Sequence, residues 1–165
     1  MSVEFQRLAI VNRGEPAMRG IHAIREFNLE RGTGIRTIAL FTEPDRRARF
    51  VREADETFDL GPATFVDPAD GQRKPSYLDL ELLGRALVAV QADAAWVGWG
   101  FVAERPEFVE LCDRLGIVFI GPTAIAMRRV GDKISAKRLA EQCGVPVVEW
   151  GGEAASSLDV AWAHA

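Results

Sequence analysis

The sequence has few of the residues on which metal and nucleophile chemistry usually depends. It contains only two histidines and two cysteines, and their spacing fits no zinc-binding pattern. Cys112 and Cys143 fall in predicted helices among apolar neighbours, so we interpret them as reduced, buried thiols rather than a redox pair. His22 and His164 belong to no serine, histidine and aspartate triad. We therefore predict no metal site and no catalytic residue within this chain.

Long hydrophobic runs and an excess of positive charge are also missing. No segment approaches the ~20 apolar residues that a membrane-spanning helix needs. The N-terminus lacks the basic start and the small-residue cleavage site of a signal peptide. The formal net charge of -4 argues against a nucleic-acid or anionic-membrane surface. We therefore expect a cytoplasmic protein with no nucleic-acid or membrane partner.

Short apolar, β-branched runs alternate with helical patterns in the first part of the chain. Strands are predicted at 8–11, 36–41, 57–60, 94–97 and 117–120, the last of them buried on both faces. Helices are predicted at 16–30, from a cap at Ser76 to about 90, and at 106–115, with an exposed loop at 67–75. This alternation predicts an α/β fold, a Rossmann-like parallel sheet with helices on both faces.

The character of the sequence changes after Gly121-Pro122. A short helix is predicted near 124–130 and a second at 133–143, with Asp132 as its cap. Val147-Val148 indicates a further strand, but the remaining residues are too few to close a second sheet. We therefore predict a first domain at 1–122, followed at 123–165 by linker helices and the truncated start of a second domain. The chain is expected to be part of something larger.

Two predicted turns lie at the same edge of this sheet. In an open parallel sheet, ligands bind beyond the carboxyl ends of the strands. Asn12-Arg-Gly-Glu15 follows the first strand, and Gly98-Trp-Gly-Phe101 follows the strand that ends at Val97. Glycines on both sides of Trp99 indicate backbone that turns tightly or approaches a ligand closely. Trp96 is expected in the core and Trp99 at the rim, while the absence of G-x-G-x-x-G disfavours a dinucleotide site.

Gly131-Asp-Lys133 is a second candidate for ligand binding. It places an ammonium group at the first turn of a predicted helix, where the free backbone amides also favour an anion such as phosphate. The same residues are typical of ordinary helix capping, so both interpretations stay open at this point.

Four motifs in order resemble the N-terminal subdomain of biotin carboxylase, the ATP-grasp component of acetyl-CoA, propionyl-CoA and pyruvate carboxylases. They are Ile10-Val-Asn-Arg-Gly-Glu15, Arg52-Glu-Ala-Asp-Glu56, Gly98-Trp-Gly-Phe101 with Glu104, and Phe119-Ile-Gly-Pro122 through Gly131-Asp-Lys-Ile-Ser-Ala136 to Gly144-Val-Pro146. The family's His and Tyr are replaced by Trp96 and Trp99. This form is similar to the eukaryotic-type multidomain acetyl-CoA carboxylases.

The resemblance implies a protein that uses ATP and bicarbonate to carboxylate biotin on a separate carrier domain, for transfer to an acyl-CoA. In this family Lys133 would reach the ATP phosphates, and Gly98, Trp99 and Gly100 would form the biotin-side rim, with Asn12, Gly14 and Glu104 in support. The Mg²⁺ ligands and catalytic residues would belong to the later ATP-grasp domain, so the chain alone should be inactive. Implied partners are that domain, the biotin carrier and carboxyltransferase domains, and a second copy in a homodimer.

Two alternatives remain open from the sequence. The first is a regulatory or interaction module, in which the first helix presents Arg19, His22 and Ala23; an amphipathic helix with a solvated face explains these residues better. The second is another ATP-grasp ligase, such as a carbamoyl-phosphate or purine-synthesis enzyme. The Asn-Arg-Gly-Glu and Gly-Trp-Gly-Phe turns argue against that ligase. The sequence specifies neither the acyl-CoA substrate nor the oligomeric state.

Overall fold

A five-stranded parallel sheet forms the centre of the first of two units in the computed structural model, which describes residues 5–150 and Trp162. The first unit is Met1–Pro122 and the second is Thr123–Ala165. The strands of the sheet, in chain order, are β1 (Arg7–Ile10), β2 (Arg36–Phe41), β3 (Glu56–Asp59), β6 (Ala94–Trp96) and β7 (Val118–Phe119). Their spatial order is β3-β2-β1-β6-β7, so the predicted α/β parallel sheet is confirmed.

Helices cover both faces of this sheet. The helices of the first unit are α1 (Gly14–Arg31), α2 (Arg49–Glu53), α3 (Leu80–Ala89) and α4 (Pro106–Leu115), and the second unit contains α5 (Ala124–Gly131) and α6 (Lys133–Gln142). Ala9 packs in the core cluster that contains Leu83 and Phe108 of α3 and α4, whereas Ile10 packs in the cluster that contains Ile21 of α1. Neighbouring residues of a strand point to opposite faces, so β1 serves both clusters. No helix among the described residues is long and apolar enough to cross a membrane.

The segment predicted as an exposed loop contains one strand of a hairpin. β5 (Arg73–Pro75) pairs antiparallel with β4 (Thr64–Val66). Asp67 closes the connection, because its backbone N–H donates to the carbonyl of Gln72 at 2.8 Å and its carboxylate accepts from Lys74 Nζ. A three-residue strand of Arg, Lys and Pro has no hydrophobic alternation from which it could be predicted.

The start of α3 also differs from the prediction. Asp79, not Ser76, is the cap: its carboxylate accepts from the N–H of Leu82 at 3.0 Å. Ser76 begins a short 3-10 helix, and its buried hydroxyl donates to the carbonyl of Pro62 at 2.6 Å. Ser and Asp are both common at helix N-caps, so the sequence alone does not decide which of these two residues caps the helix.

Three further expectations need correction. β7 is an edge strand, and Val118 is 40% exposed instead of buried on both faces. Cys112 is buried, which raises the pKa of its thiol to about 12, but Cys143 follows the end of α6 and is exposed. Val147-Val148 forms no strand.

The predicted Asp132 cap of α6 is confirmed, because its carboxylate accepts from the N–H of Ser135 at 2.8 Å.

Candidate functional site

The two candidate turns meet where the order of the strands reverses. β1 pairs with β2 on one side and with β6 on the other, so the chain leaves β1 toward one edge and later returns to the other. The crevice at such a reversal is the usual ligand site of an open parallel sheet. Asn12 follows β1 and Gly98 follows β6 within two residues, so both turns lie at this point.

The side chain of Asn12 joins the two turns. Asn12 is only 2% exposed. Its Nδ2 donates to the carbonyls of Val97 and Trp99, both at 2.7 Å, and its Oδ1 accepts from the N–H of Arg13 at 2.8 Å. One amide therefore satisfies backbone groups on both sides of the crevice and fixes the path of the chain through Trp99.

Two glycines shape the turn around Trp99. Gly98 and Gly100 have φ angles of +76° and +78°, a region that side-chain-bearing residues rarely adopt. A Cβ on Gly100 would meet no atom within 4 Å, so that side of the turn is open. Trp99 lies between them with 53% of its surface exposed. The turn therefore presents a flat indole beside bare backbone.

Trp96 fills the space behind this turn. Its ring packs against the core clusters beneath α1, as the sequence predicts, and it lies between two glycines. A Cβ on Gly20 of α1 would be 2.8 Å from Trp96 Cζ3, and one on Gly98 would be 2.8 Å from Cη2. The indole therefore separates α1 from the turn and leaves no room for a methyl group on either side.

Gly20→Ala should consequently lower the free energy of unfolding by about 1–2 kcal/mol, because the overpacking exceeds the gain of about 1 kcal/mol in helix propensity. Trp96→Phe should relieve part of this cost, so that the double variant is less destabilised than the sum of the single variants. Urea unfolding measures all three. Gly34→Ala is the control, since a Cβ there meets nothing within 4 Å. Equal stability of the Gly20→Ala and Gly34→Ala variants would contradict this packing.

Arg13 anchors the first turn to the chain that follows β2, a contact that the sequence analysis missed. Its guanidinium donates to both carboxylate oxygens of Asp45, at 2.5 and 2.6 Å, and this raises the pKa of Arg13. Asp45 is buried. The sequence does show an arginine directly after Asn12. Its partner lies in another turn, however, and the pairing depends on how the fold brings the two turns together.

A hollow of about 250 Å³ lies beside Arg13. Its lining residues are Arg13, Thr42, Pro44, Ala63, Pro75, Tyr77 and Phe101. The hydroxyl of Tyr77 donates to the carbonyl of Leu40 at 2.7 Å, and burial raises its pKa. The rings of Tyr77 and Phe101 have centroids 4.8 Å apart. The guanidinium of Arg13 and the hydroxyl of Tyr77 are already bonded within the chain, so we interpret the hollow as support for the rim.

The other two supporting residues differ from Asn12. Gly14 starts α1 with φ of +59°, and a Cβ there would meet nothing within 4 Å, so its contribution is to backbone geometry. Glu104 is exposed and makes no hydrogen bond or ion pair with any part of the chain that the structure describes. The turn is thus held by Asn12 and not by Glu104.

Lys133 lies in the second unit, as the first residue of α6. Its side chain is exposed at the end of the helix where backbone amides point outward. The neighbouring Asp132 is engaged as the cap, and this bonding lowers the pKa of its carboxyl. Lys133 is therefore placed where an ammonium group and helix amides both favour an anion. Between residues 5 and 150, no group of three or more His, Cys, Asp and Glu residues could hold a metal ion.

The first helix presents the residues of the predicted regulatory surface. Arg19, His22 and Ala23 are exposed, and Arg19 pairs with Glu15 at 2.7 Å. His22 Nε2 lies 3.0 Å from Glu53 of α2. The described contacts of this surface are thus an ion pair within α1 and a side-chain contact between α1 and α2, and a regulatory role for it stays a prediction.

Glu53 should make stability depend on pH below about 4.5. Hydrogen bonds from Arg49 and His22, with a further one from Arg25, lower the pKa of its carboxyl from 4.5 to about 2. Because the folded-state pKa is depressed, the stabilisation is complete above pH 4.5 and is lost as the pH falls toward 2. Urea unfolding of wild type and Glu53→Gln from pH 6 to 2 measures this. Glu81→Gln, which removes one exposed partner of Arg85, is the control for loss of a surface charge. Wild-type and Glu53→Gln curves that run parallel below pH 4.5 would contradict it.

Comparison with known proteins gives consistent matches along the chain. Residues 4–127 match the family described as biotin carboxylase, N-terminal domain. A pyruvate carboxylase subunit from Methanothermobacter thermautotrophicus is 36% identical over 157 residues, which are 95% of this chain and 29% of that protein. Biotin carboxylase 1 of Bacillus subtilis is 38% identical over 143 residues, 87% of this chain and 29% of that protein. The crystal structure of a biotin carboxylase-beta-gamma-ATP complex from Campylobacter jejuni superposes with a TM-score of 0.82 at 32% identity, over 98% of this chain and 33% of that one. The chain thus spans about a third of the length of these relatives.

Proposed function

Because this chain belongs to the biotin carboxylase family and represents its N-terminal domain, we propose that it supplies one side of a carboxylation site in a longer, ATP-dependent ligase. That enzyme would use ATP and bicarbonate to carboxylate biotin held on a carrier domain, for transfer to an acyl-CoA. The observation that carries the proposal is the Gly98–Trp99–Gly100 turn, which is fixed by Asn12 and exposes an indole where the strand order reverses.

The residues of this turn fit the ring of biotin. The exposed face of Trp99 offers a flat apolar surface, and Gly100, at which a Cβ would meet nothing within 4 Å, has no side chain that would keep a ligand away from the backbone. The indole has no hydroxyl group, unlike the tyrosine that the wider family has at this position. Its proposed contribution is therefore contact area and not a hydrogen bond from a hydroxyl to the ligand. Asn12 holds the turn in place beforehand, which reduces the ordering cost of binding.

Lys133 fits the phosphates of ATP in the same proposal. A mobile ammonium at a helix start, with outward-pointing amides, suits a flexible polyanion. Bound ATP supplies the phosphoryl group that activates bicarbonate. Among the described residues, none form a cluster suited to Mg²⁺, so its ligands are proposed to lie in the ATP-grasp part of the enzyme.

The acceptor of the carboxyl group and the partners are also proposals. The names of three related proteins contain pyruvate, methylcrotonoyl-CoA and 2-oxoglutarate. The domain therefore occurs in carboxylases that are named for different acceptors. The assignment to the eukaryotic-type acetyl-CoA carboxylase branch depends on Trp96 and Trp99. Proposed partners are the rest of the ATP-grasp domain, the biotin carrier and carboxyltransferase domains, and a second copy, as in the Hydrogenobacter thermophilus biotin carboxylase domain dimer. A cytoplasmic location is part of the same proposal.

Trp99→Ala tests the biotin side of the proposal. In the longer enzyme, we expect the KM for free biotin to rise ~10-fold, because losing one aromatic contact costs about 1–1.5 kcal/mol. The KM for ATP should stay within ~2-fold. The thermal unfolding temperature should hardly change, since the side chain is half exposed.

Trp99→Tyr is the matched control. It keeps a flat ring and restores the residue of the wider family, so it should return the KM for biotin to near wild type. An unchanged KM for biotin in the Trp99→Ala enzyme would contradict the proposed role of the turn.

A further inference from the structure

Phe101 has an unusual backbone conformation for a bulky residue. Its φ angle is +47°, in a region that large side chains rarely adopt. Of the described residues other than glycine, only Gln91 shares this feature. Gln91 has an ordinary reason for it, because it follows the end of α3 and the N–H of Ala92 donates back to the carbonyl of Leu87 at 3.0 Å, as at many helix ends. Phe101 lies between β6 and α4 and ends no helix, so this reason does not apply to it.

The side chain of Phe101 rests on a buried ring. The centroids of the Phe101 and Tyr77 rings are 4.8 Å apart, and their planes are inclined by 31°. Tyr77 is 2% exposed, and its hydroxyl donates to the carbonyl of Leu40 in β2 at 2.7 Å. β2 is paired with a strand on each side. The ring of Phe101 is therefore supported, through Tyr77, by the interior of the sheet.

This contact lies directly after the exposed indole in the chain. The carbonyl of Trp99 accepts from Asn12, and the carbonyl of Gly100 accepts from the N–H of Ala103 at 2.9 Å. Phe101 is the next residue, so the turn is held by hydrogen bonds at the indole and by a ring contact just beyond it. The glycines on both sides of the indole leave the turn little stiffness of its own. The direction of the indole therefore depends on these external supports.

The presence of a ring at position 101 has two explanations. A glycine there would adopt the same φ angle without strain, so the ring is retained at a conformational cost. Such strained residues persist where the surrounding structure imposes them, and they are concentrated at active sites and ligand sites. Core packing is one explanation, and support of the indole is the other. Removal of the ring should lower only stability under the first, and should also weaken ligand binding under the second.

We propose that Phe101 is a positioning residue of the carboxylation site. Stacked on Tyr77, it holds the Trp99 indole in the direction in which it contacts the ring of biotin. Preorganisation of a contact reduces the ordering cost of binding, so loss of the Phe101 ring should weaken the binding of biotin although no atom that touches biotin is removed. This role rests on the proposed function of the Trp99 turn and adds a second support to that of Asn12.

Steady-state kinetics of the longer enzyme with Phe101→Leu tests the positioning role. Leucine keeps an apolar side chain but loses the stacked ring, so the KM for free biotin should rise ~5-fold, as expected for the loss of one aromatic pair. The KM for ATP should stay within ~2-fold, because its proposed contacts lie elsewhere. Phe101→Tyr keeps the ring and should restore the KM for biotin to within ~2-fold of wild type. If the leucine variant does not fold, Phe101→Gly, which removes the ring and relaxes the backbone, carries the test.

A double variant and a stability control separate positioning from packing. Because Phe101 is proposed to act through Trp99, Phe101→Leu should raise the KM for biotin less than ~2-fold further in the Trp99→Ala enzyme. Val109→Ala removes buried methyl groups from α4 and should lower stability while it leaves the KM for biotin within ~2-fold of wild type. Additive effects in the double variant, or an equal rise in KM in Val109→Ala and Phe101→Leu, would overturn the proposal.

Amide hydrogen exchange distinguishes this proposal from the function on which it rests. The amides at 98–100 should exchange faster in Phe101→Leu and not in Val109→Ala, whether or not biotin contacts the turn. Unchanged exchange in Phe101→Leu would overturn the positioning role. So would a KM for biotin that rises in Trp99→Ala but not in Phe101→Leu, a result that leaves the proposed function intact. Faster exchange in Phe101→Leu with an unchanged KM in Trp99→Ala would instead reject the biotin contact and support the role of Phe101 in holding the turn.

Discussion

Asn12→Ala should lower the free energy of unfolding by about 2–4 kcal/mol, the largest stability effect that we expect from a single residue of the site. The variant loses two donated hydrogen bonds and leaves the carbonyls of Val97 and Trp99 without the partner that Asn12 provides. Asn12 is 2% exposed, so little solvent is available to compensate. The loss should also release the turn, and the amides from Gly98 to Gly100 should exchange faster with solvent.

Asn12→Asp should be more harmful than Asn12→Ala at neutral pH. The carboxylate would face two carbonyl oxygens in a buried space, which disfavours its charged form. Its pKa would therefore be raised on folding, so the variant should lose stability as the pH rises above ~4. Urea unfolding with amide hydrogen exchange measures both variants, and Gln72→Ala, at an exposed amide side chain, is the control. An Asn12→Ala protein as stable as the Gln72→Ala protein would show that the amide does not hold the turn.

The regular elements could be predicted because their signals are local. The apolar runs of β1 and β2 are typical of central parallel strands, and Gly116 ends α4 in the left-handed conformation that the sequence indicates. Predictions from the sequence are wrong where two neighbouring residues are both suited to one structural role, or where the solvent exposure of a residue depends on an element distant in the sequence. Ser76 and Asp79 are both good caps, and the exposure of Val118 depends on which strand forms the edge of the sheet.

The positions of the site residues could be predicted, but their contacts could not. The sequence places Asn12 and Trp99 at the ends of two strands, and topology then implies that they lie at one edge. The bonds of Asn12 to the second turn, and the pairing of Arg13 with Asp45, join segments whose separation is set by the packed sheet. The contact of Gly20 with Trp96 is of the same kind, because a glycine in a helix gives no local sign of a ring beside it.

The proposed activity depends most directly on Lys133, although the lysine lies in the second unit and the Trp99 turn in the first. Substitution of an exposed lysine should leave the fold intact, so a loss of activity would report on the chemistry. Lys137 provides a matched control, since it lies one helical turn further along α6 and its ammonium packs over the Trp150 ring.

Bicarbonate-dependent ATP cleavage by the longer enzyme, compared between Lys133→Ala and Lys137→Ala, is the measurement that tests the central claim. We predict that Lys133→Ala lowers the rate at least ~100-fold, as expected when a charge that stabilises the transferring phosphoryl group is removed. Lys137→Ala should stay within ~3-fold of wild type, because a surface charge away from the ligand contributes little. ATP cleavage by Lys133→Ala at the wild-type rate would contradict the assignment of this chain to the ATP-dependent carboxylation site.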